Sequence, residues 1–210
     1  MSHITSVLKR MKYILIFIGA YFVFFVLSGG SAVNWYDIVM AKVPITLVLT
    51  SFLHFDIMHL LSNVQGMLIF GWVLCSNISY RKANGPTLPL LLSISSVVTG
   101  ILPYYLDLNA YTAGASGAAY ALEAYVFAFA FLGGKDPLAV RLRQLSGWLA
   151  ISAVFAVLWF FNSEVSFVGH FSGAIVGVVV ALVDFERRKQ IKRINDERKA
   201  NVDSQTYFQQ

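Results

Sequence analysis

Charged residues are scarce in this chain. Only 13% of its 210 residues are Asp, Glu, Lys or Arg, whereas 57% are hydrophobic. A soluble domain of this length needs far more charge on its surface. The hydrophobic residues also fall in long blocks rather than in alternation, which is typical of membrane spans. The composition therefore excludes an ordinary soluble enzyme or binding domain.

Cysteine is almost absent as well. Cys75 is the only one and lies inside a hydrophobic block, so there is no disulfide framework and no thiolate metal cluster. Basic residues outnumber acidic ones by 16 to 11, which gives a formal net charge of +5. They lie in short clusters beside the hydrophobic blocks, as topology signals do, and form no patch for nucleic acid.

The hydrophobic blocks predict an all-α, polytopic membrane protein with six transmembrane helices. Val43–Phe55 is hydrophobic but too short to span, and we expect it to form an interfacial or partly re-entrant loop. Three parts follow: residues 1–12 as a short cytoplasmic N-terminus, 13–185 as one six-span core, and 186–210 as a charged tail. The tail is expected to begin as a short helix and to end in disorder. The predicted spans are Tyr13–Ser28, Ile57–Ser76, Leu88–Leu106, Ser116–Leu132, Leu145–Phe161 and Val168–Phe185.

The basic residues predict the orientation of these spans. Fifteen of the 16 fall on one side of the six-span topology, and only Lys42 falls on the other. Because Lys and Arg concentrate in cytoplasmic loops, both termini are expected in the cytoplasm. Alternatively, the first block is a signal peptide, since Gly30-Ser31-Ala32 resembles a small-residue cleavage site. The later spans keep the same orientation in both cases.

Three predicted spans carry a polar residue at one depth. Ser116, His170 and Asn63 lie 17 to 19 residues before the basic residues that follow their spans, about 26–29 Å at the rise of an α-helix. His59, four residues before Asn63, shares its helix face. Each residue alone has an ordinary interpretation as packing or hydrogen bonding between helices. Their shared depth favours a site for acyl transfer instead, because hydrocarbon penalises polar side chains.

In that interpretation Ser116 is a nucleophile and His170 is its base. The backbone N–H of Ser116, the amide of Asn63 and the ring of His59 are candidate donors to an oxyanion. No acidic residue lies at the right depth to orient the histidine, since Glu123 is about two turns deeper. The sequence therefore predicts a Ser–His dyad rather than a triad.

Small residues beside the two predicted catalytic groups indicate a close helix contact. Gly173 and Gly177 form a GxxxG pair on the last span, and Gly117 with Ala121 has the matching spacing on the fourth. Tyr120 lies one turn below the serine. It is equally open whether its ring supports the imidazole or simply packs.

These residues resemble the rhomboid intramembrane serine proteases over about Phe52 to Asp184, and Lys135-Asp136-Pro137 is similar to the loop after the nucleophile helix in bacterial members. The matching motifs are the GxSG segment from Gly114 to Gly117 followed by Tyr120, the HxxGxxxG segment of His170, Gly173 and Gly177, and the HxxxxHxxxN entry of His54, His59 and Asn63.

The resemblance implies a six-helix rhomboid core in a bacterial inner membrane, without cofactor or metal. Its substrates would be transmembrane proteins cleaved near the outer face of the membrane. The chain departs from the family pattern at two places. Ile45 and Thr46 replace a tryptophan-arginine pair of the first outer loop, and an acidic residue is replaced near Cys75. These changes leave room for a specialised branch that processes carboxy-terminal sorting signals.

Two other functions compete with proteolysis. The first is a catalytically silent rhomboid-like protein that binds membrane clients, against which the retention of both Ser116 and His170 argues. The second is a metal- or haem-binding membrane protein that uses His54, His59 and His170. Such a site needs further carboxylate or histidine ligands at the same depth, and the sequence offers none.

Overall fold

The computed structural model describes residues 3–37, 44–76, 84–106, 113–133, 146–147, 150 and 167–207. Its principal elements are helices joined by short turns. In chain order they are α1 (His3–Arg10), α2 (Lys12–Leu27), a 3-10 turn at Ala32–Trp35, α3 (Pro44–Leu49), a 3-10 turn at Thr50–Phe52, α4 (Ile57–Ser76), α5 (Asn84–Leu106), α6 (Ser116–Gly133) and α7 (Phe167–Tyr207).

The helices confirm a polytopic helical membrane protein. Among the described residues, α4, α5 and α7 are each long and apolar enough to cross a membrane, and α1 with α2 makes a fourth candidate that is bent by 61°. The α6 helix is apolar but shorter. The predicted span Leu145–Phe161 lies outside the described residues, apart from 146–147 and 150.

The end of the chain differs from the prediction. Instead of a short helix followed by disorder, α7 continues without a break to Tyr207. No glycine or proline interrupts the sequence after Gly177 up to that point, and ion pairs one turn apart, Lys189 with Glu186 and Arg193 with Glu197, support the helix. The charged residues of the tail therefore extend the helix rather than end it.

The α6 helix lies at the centre of the described bundle, in contact with α4, α5 and α7. Its closest neighbour is α7. A Cβ atom on Gly173 would overlap the carbonyl oxygen of Gly117, and a Cβ atom on Gly177 would overlap the carbonyl oxygen of Ala121. Glycine at both positions therefore lets the two backbones touch, as in other small-residue helix contacts.

The predicted interfacial loop contains α3 and the 3-10 turn and packs against α5. A Cβ atom on Gly100 of α5 would overlap the carbonyl oxygen of Leu47. The hydroxyl of Ser51 donates to the carbonyl of Ser96 at 2.7 Å. The same loop also contacts the residues just before α6, because the N–H of Gly114 donates to the carbonyl of Thr50 at 3.0 Å. The loop thus connects α5 to the start of α6.

A buried carboxylate joins three helices at the opposite end of the bundle. Asp184 of α7 is 3% exposed and accepts hydrogen bonds from the hydroxyls of Thr87 of α5 (3.1 Å) and Tyr125 of α6 (2.8 Å). Arg187 and Arg188 donate to the same carboxylate at 3.1 and 2.8 Å. The negative charge of the carboxylate is therefore compensated, and both of its oxygens accept hydrogen bonds, as a buried carboxylate requires.

We expect Asp184→Asn to destabilise the fold. The amide keeps the size of the side chain but leaves two arginines without their anion, at a cost of about 2 kcal/mol or more. Thermal unfolding of the purified protein in detergent measures this effect. Glu186→Gln is the matched control, since both members of its ion pair with Lys189 are exposed and such pairs contribute little. Equal losses in the two variants would contradict the assignment.

Candidate functional site

Ser116 and His170 meet where α6 and α7 begin. Ser116 is the first residue of α6, and His170 lies in the first turn of α7. The serine Oγ is 2.8 Å from the histidine Nε2. The backbones of the two helices touch at Gly117, the residue after the serine, and at Gly173, about one turn after the histidine. The two side chains therefore meet without having to reach across a gap.

The Tyr120 ring stacks on the imidazole. The ring centroids of Tyr120 and His170 are 4.5 Å apart, with the planes 27° from parallel. Tyr120 lies four residues after Ser116 and therefore on the same face of α6. The tyrosine ring thus lies against one face of the imidazole whose Nε2 contacts the serine.

His59 and Asn63 of α4 lie beside the loop that leads into α6. Gly114 has a φ of +125°, which disfavours any residue with a side chain. A Cβ atom there would lie 2.6 Å from Nε2 of His59 and 3.3 Å from Nδ2 of Asn63. Asn63 is 1% exposed, and neither polar atom of its amide has a hydrogen-bond partner within the described part of the chain.

Asp56 fixes the start of the helix that carries this pair. Its Oδ1 accepts a hydrogen bond from the backbone N–H of His59 at 2.8 Å, in the manner of an N-terminal cap. The structure assigns the cap to Asp56 and gives His54 different contacts.

His54 supports the loop before the serine. Its Nε2 accepts a hydrogen bond from the backbone N–H of Ala115 at 3.3 Å, and its ring lies 5.2 Å from that of His59. Burial lowers the pKa of His54 to about 3, and repulsion from His59 adds to the effect. The ring is therefore neutral at physiological pH and keeps the lone pair that accepts the Ala115 N–H.

Two contacts around the site escaped the sequence reasoning. Thr99 of α5 lies against Gly117, where a Cβ atom would be 2.6 Å from its Oγ1. The Thr50 carbonyl receives the Gly114 N–H. Neither residue has a distinctive spacing, and threonine is ordinary in membrane helices, so no sequence signal pointed to them. Within the described ranges, no three His, Cys, Asp or Glu side chains are grouped as metal ligands would be.

A family model, described as the rhomboid domain, matches residues 42–187. The rhomboid protease GlpG of Salmonella paratyphi A (strain ATCC 9150 / SARB42) and that of Salmonella newport (strain SL254) are each 29% identical over 140 residues, 63% of this chain. The rhomboid protease GlpG of Salmonella choleraesuis (strain SC-B67) is 29% identical over 143 residues. These matches cover 46% of each relative, so the chain spans about half the length of the curated relatives it matches.

We expect His54 to make folding sensitive to acid. Between pH 6.5 and about 3 the unfolded chain binds a proton on this ring and the folded chain does not. The free energy of unfolding therefore falls as the pH falls through that window, by at most about 1.4 kcal/mol per pH unit. In His54→Gln the amide retains an acceptor for Ala115 but cannot titrate, so its stability should depend less on pH. Unfolding midpoints of both proteins across this window test the expectation, and identical pH slopes would contradict it.

Proposed function

We propose that the chain, which belongs to the rhomboid family, is an intramembrane serine protease. The observation that carries this proposal is the 2.8 Å contact between Ser116 Oγ and His170 Nε2 within a bundle of apolar helices. A serine hydroxyl is a weak nucleophile on its own and becomes reactive when a base lies within hydrogen-bond reach. The relatives named rhomboid proteases support the same activity.

The chemistry uses His170 twice. With its proton on Nδ1, the imidazole accepts the hydroxyl proton of Ser116 at Nε2 while Oγ attacks the carbonyl carbon of a peptide bond. The tetrahedral intermediate collapses, the C–N bond breaks, and the imidazolium returns the proton to the departing amine. A water molecule, deprotonated by the same nitrogen, then hydrolyses the ester on Ser116 and regenerates the hydroxyl.

Asn63 is the strongest candidate for a side-chain donor to the oxyanion. A buried amide without a hydrogen-bond partner costs free energy in the resting protein, and this cost is recovered if the partner is an oxygen that arrives with the substrate. His59 lies on the same side of Gly114. The backbone N–H of Ser116, at the start of α6, completes the set because the first N–H groups of a helix lack internal partners.

The position of the dyad indicates the substrates. Ser116 and His170 lie at one end of the bundle, and Asp184 with its arginines lies at the other. By the bias of basic residues toward the cytoplasm, the dyad end faces outward and both termini are cytoplasmic. Transmembrane proteins cleaved near the outer face of a bacterial inner membrane are then the natural substrates.

Ser116→Ala should abolish cleavage and labelling by a fluorophosphonate probe, because both need the Oγ nucleophile. Ser95→Ala is the matched control: Ser95 is also buried, but its hydroxyl donates to the carbonyl of Leu92 in its own helix. Cleavage of a model transmembrane substrate and probe labelling are measured for the wild type and both variants. A silent client-binding protein predicts no labelling of the wild type, and cleavage by Ser116→Ala would eliminate the dyad.

Asn63→Ala should lower kcat far more than it raises KM, because a donor to the oxyanion acts in the transition state. Losing one such donor typically costs about 100- to 1000-fold in kcat. Donation shared with His59 makes the single loss smaller and the double variant with His59→Ala more severe. Steady-state kinetics on one substrate separate the two constants. A raised KM at unchanged kcat would assign Asn63 to substrate binding instead.

A further inference from the structure

One end of the bundle, which we call the basic end, collects positive charge from separate helices. It is the end where α2 begins, α4 finishes, and Asp184 joins α5, α6 and α7. Arg187 and Arg188 are already paired with Asp184 there. Lys189 and Arg193 form exposed ion pairs with Glu186 and Glu197. The other basic residues of the described helices on this side are Lys9, Arg10, Lys12 and Lys192, with Arg198 and Lys199 further along α7.

At this end, the axis of α1 is not aligned with the membrane span that follows it. It meets α2 at an angle of 61°, with Met11 between them. A helix at such an angle to a spanning segment turns toward the plane of the membrane surface. Its eight residues include no acidic side chain, so nothing in the helix itself repels an anionic surface.

One side of α1 is attached to α4. Val7 and Met11 are almost completely buried, and Arg10 donates from Nη1 to the carbonyl oxygen of Cys75 at 2.8 Å. That carbonyl lies in the last turn of α4, where carbonyls have no partner within the helix. Arg10 therefore caps the C-terminus of α4 with a charge of the favourable sign.

The apolar side of α1 is wider than this contact. Ile4 and Leu8 are 58% and 44% exposed. At about 100° per residue, both lie on the same arc as Val7 and Met11, whereas Lys9 lies opposite. The helix thus has apolar side chains beyond those that the protein covers and a basic residue on its other face, as interfacial helices do.

We propose that α1 is a binding surface for anionic phospholipids of the leaflet at the basic end. Ile4 and Leu8 enter the boundary of the acyl chains, and Lys9 and Lys12 bind the phosphate-bearing headgroups. Lys12 also lies over the ring of Tyr13, 4.7 Å from its centroid, and tyrosine is enriched at this depth of a membrane. The charge of the surface selects anionic over zwitterionic lipids.

Lipid binding at α1 also reaches α4. When α1 is bound to the membrane surface, Arg10 stays hydrogen-bonded to the Cys75 carbonyl and stabilises the C-terminal turn of α4. The same helix carries His59 and Asn63 at its other end. The inference does not rest on the proposed protease activity, because the contacts that carry it lie at the basic end and the test below reads no cleavage.

Hydrogen exchange tests the proposal on the full chain reconstituted in two kinds of vesicle. One kind is phosphatidylcholine alone, and the other is equal parts phosphatidylcholine and phosphatidylglycerol. We expect the amides of α1 and the last turn of α4 to exchange more slowly with phosphatidylglycerol present. Each basic residue strengthens binding to an anionic surface roughly fivefold, so the double variant Lys9→Gln, Lys12→Gln should lose up to about 30-fold of that protection.

The matched control is Arg198→Gln with Lys199→Gln, which removes the same charge from the exposed extension of α7, about 20 Å of helix beyond Asp184. It should keep the response to phosphatidylglycerol. If the α1 amides of the wild type exchange equally in the two kinds of vesicle, the proposal is overturned. That result is also the one expected if α1 is buried in the acyl chains as part of a broken span. An equal loss in the control would also overturn it, because the effect would then be one of net charge.

Discussion

The contact between the backbones of α6 and α7 is the constraint on which the site depends. Gly173 and Gly177 have no room for a side chain, because the carbonyl oxygens of Gly117 and Ala121 occupy the space. In a bilayer, helices gain little from burying apolar surface against each other, so close packing of small residues provides the attraction. The same contact sets the separation at which Ser116 and His170 meet.

Interactions at both ends of the bundle stabilise this contact. Asp184 fixes α7 against α5 and α6 through Thr87 and Tyr125, which fixes the rotation and height of α7. At the end where Ser116 and His170 meet, His54 and the Thr50 carbonyl accept hydrogen bonds from the N–H groups of the two residues before Ser116. The serine is thus positioned by backbone hydrogen bonds before α6 begins, and the histidine by packing along α7.

Much of this arrangement could be predicted from the sequence, but contacts between helices could not. Hydrophobic block lengths located α2, α4, α5 and α6 within a few residues, since hydrocarbon thickness dictates span length. Matched depth indicated a common layer for Ser116, His170 and Asn63, yet depth does not say which helices are neighbours. The hydrogen-bond network of Asp184 could not be predicted for that reason, because its partners are about 60 and 100 residues away in sequence. The role of His54 could not be predicted either, because it depends on the path of an irregular loop, which hydrophobic periodicity does not describe.

The most direct test of this account is the kcat of Gly173→Ala beside that of Gly19→Ala. A methyl group on Gly173 must displace α7 from α6, whereas an added Cβ on Gly19 of α2 would have no atom of the described residues within 4 Å. A displacement of about 1 Å between reacting groups can cost about 100-fold in rate. The account predicts a loss of that order in Gly173→Ala, with the variant still folded, and an unchanged rate in Gly19→Ala. Full activity in a folded Gly173→Ala would contradict it.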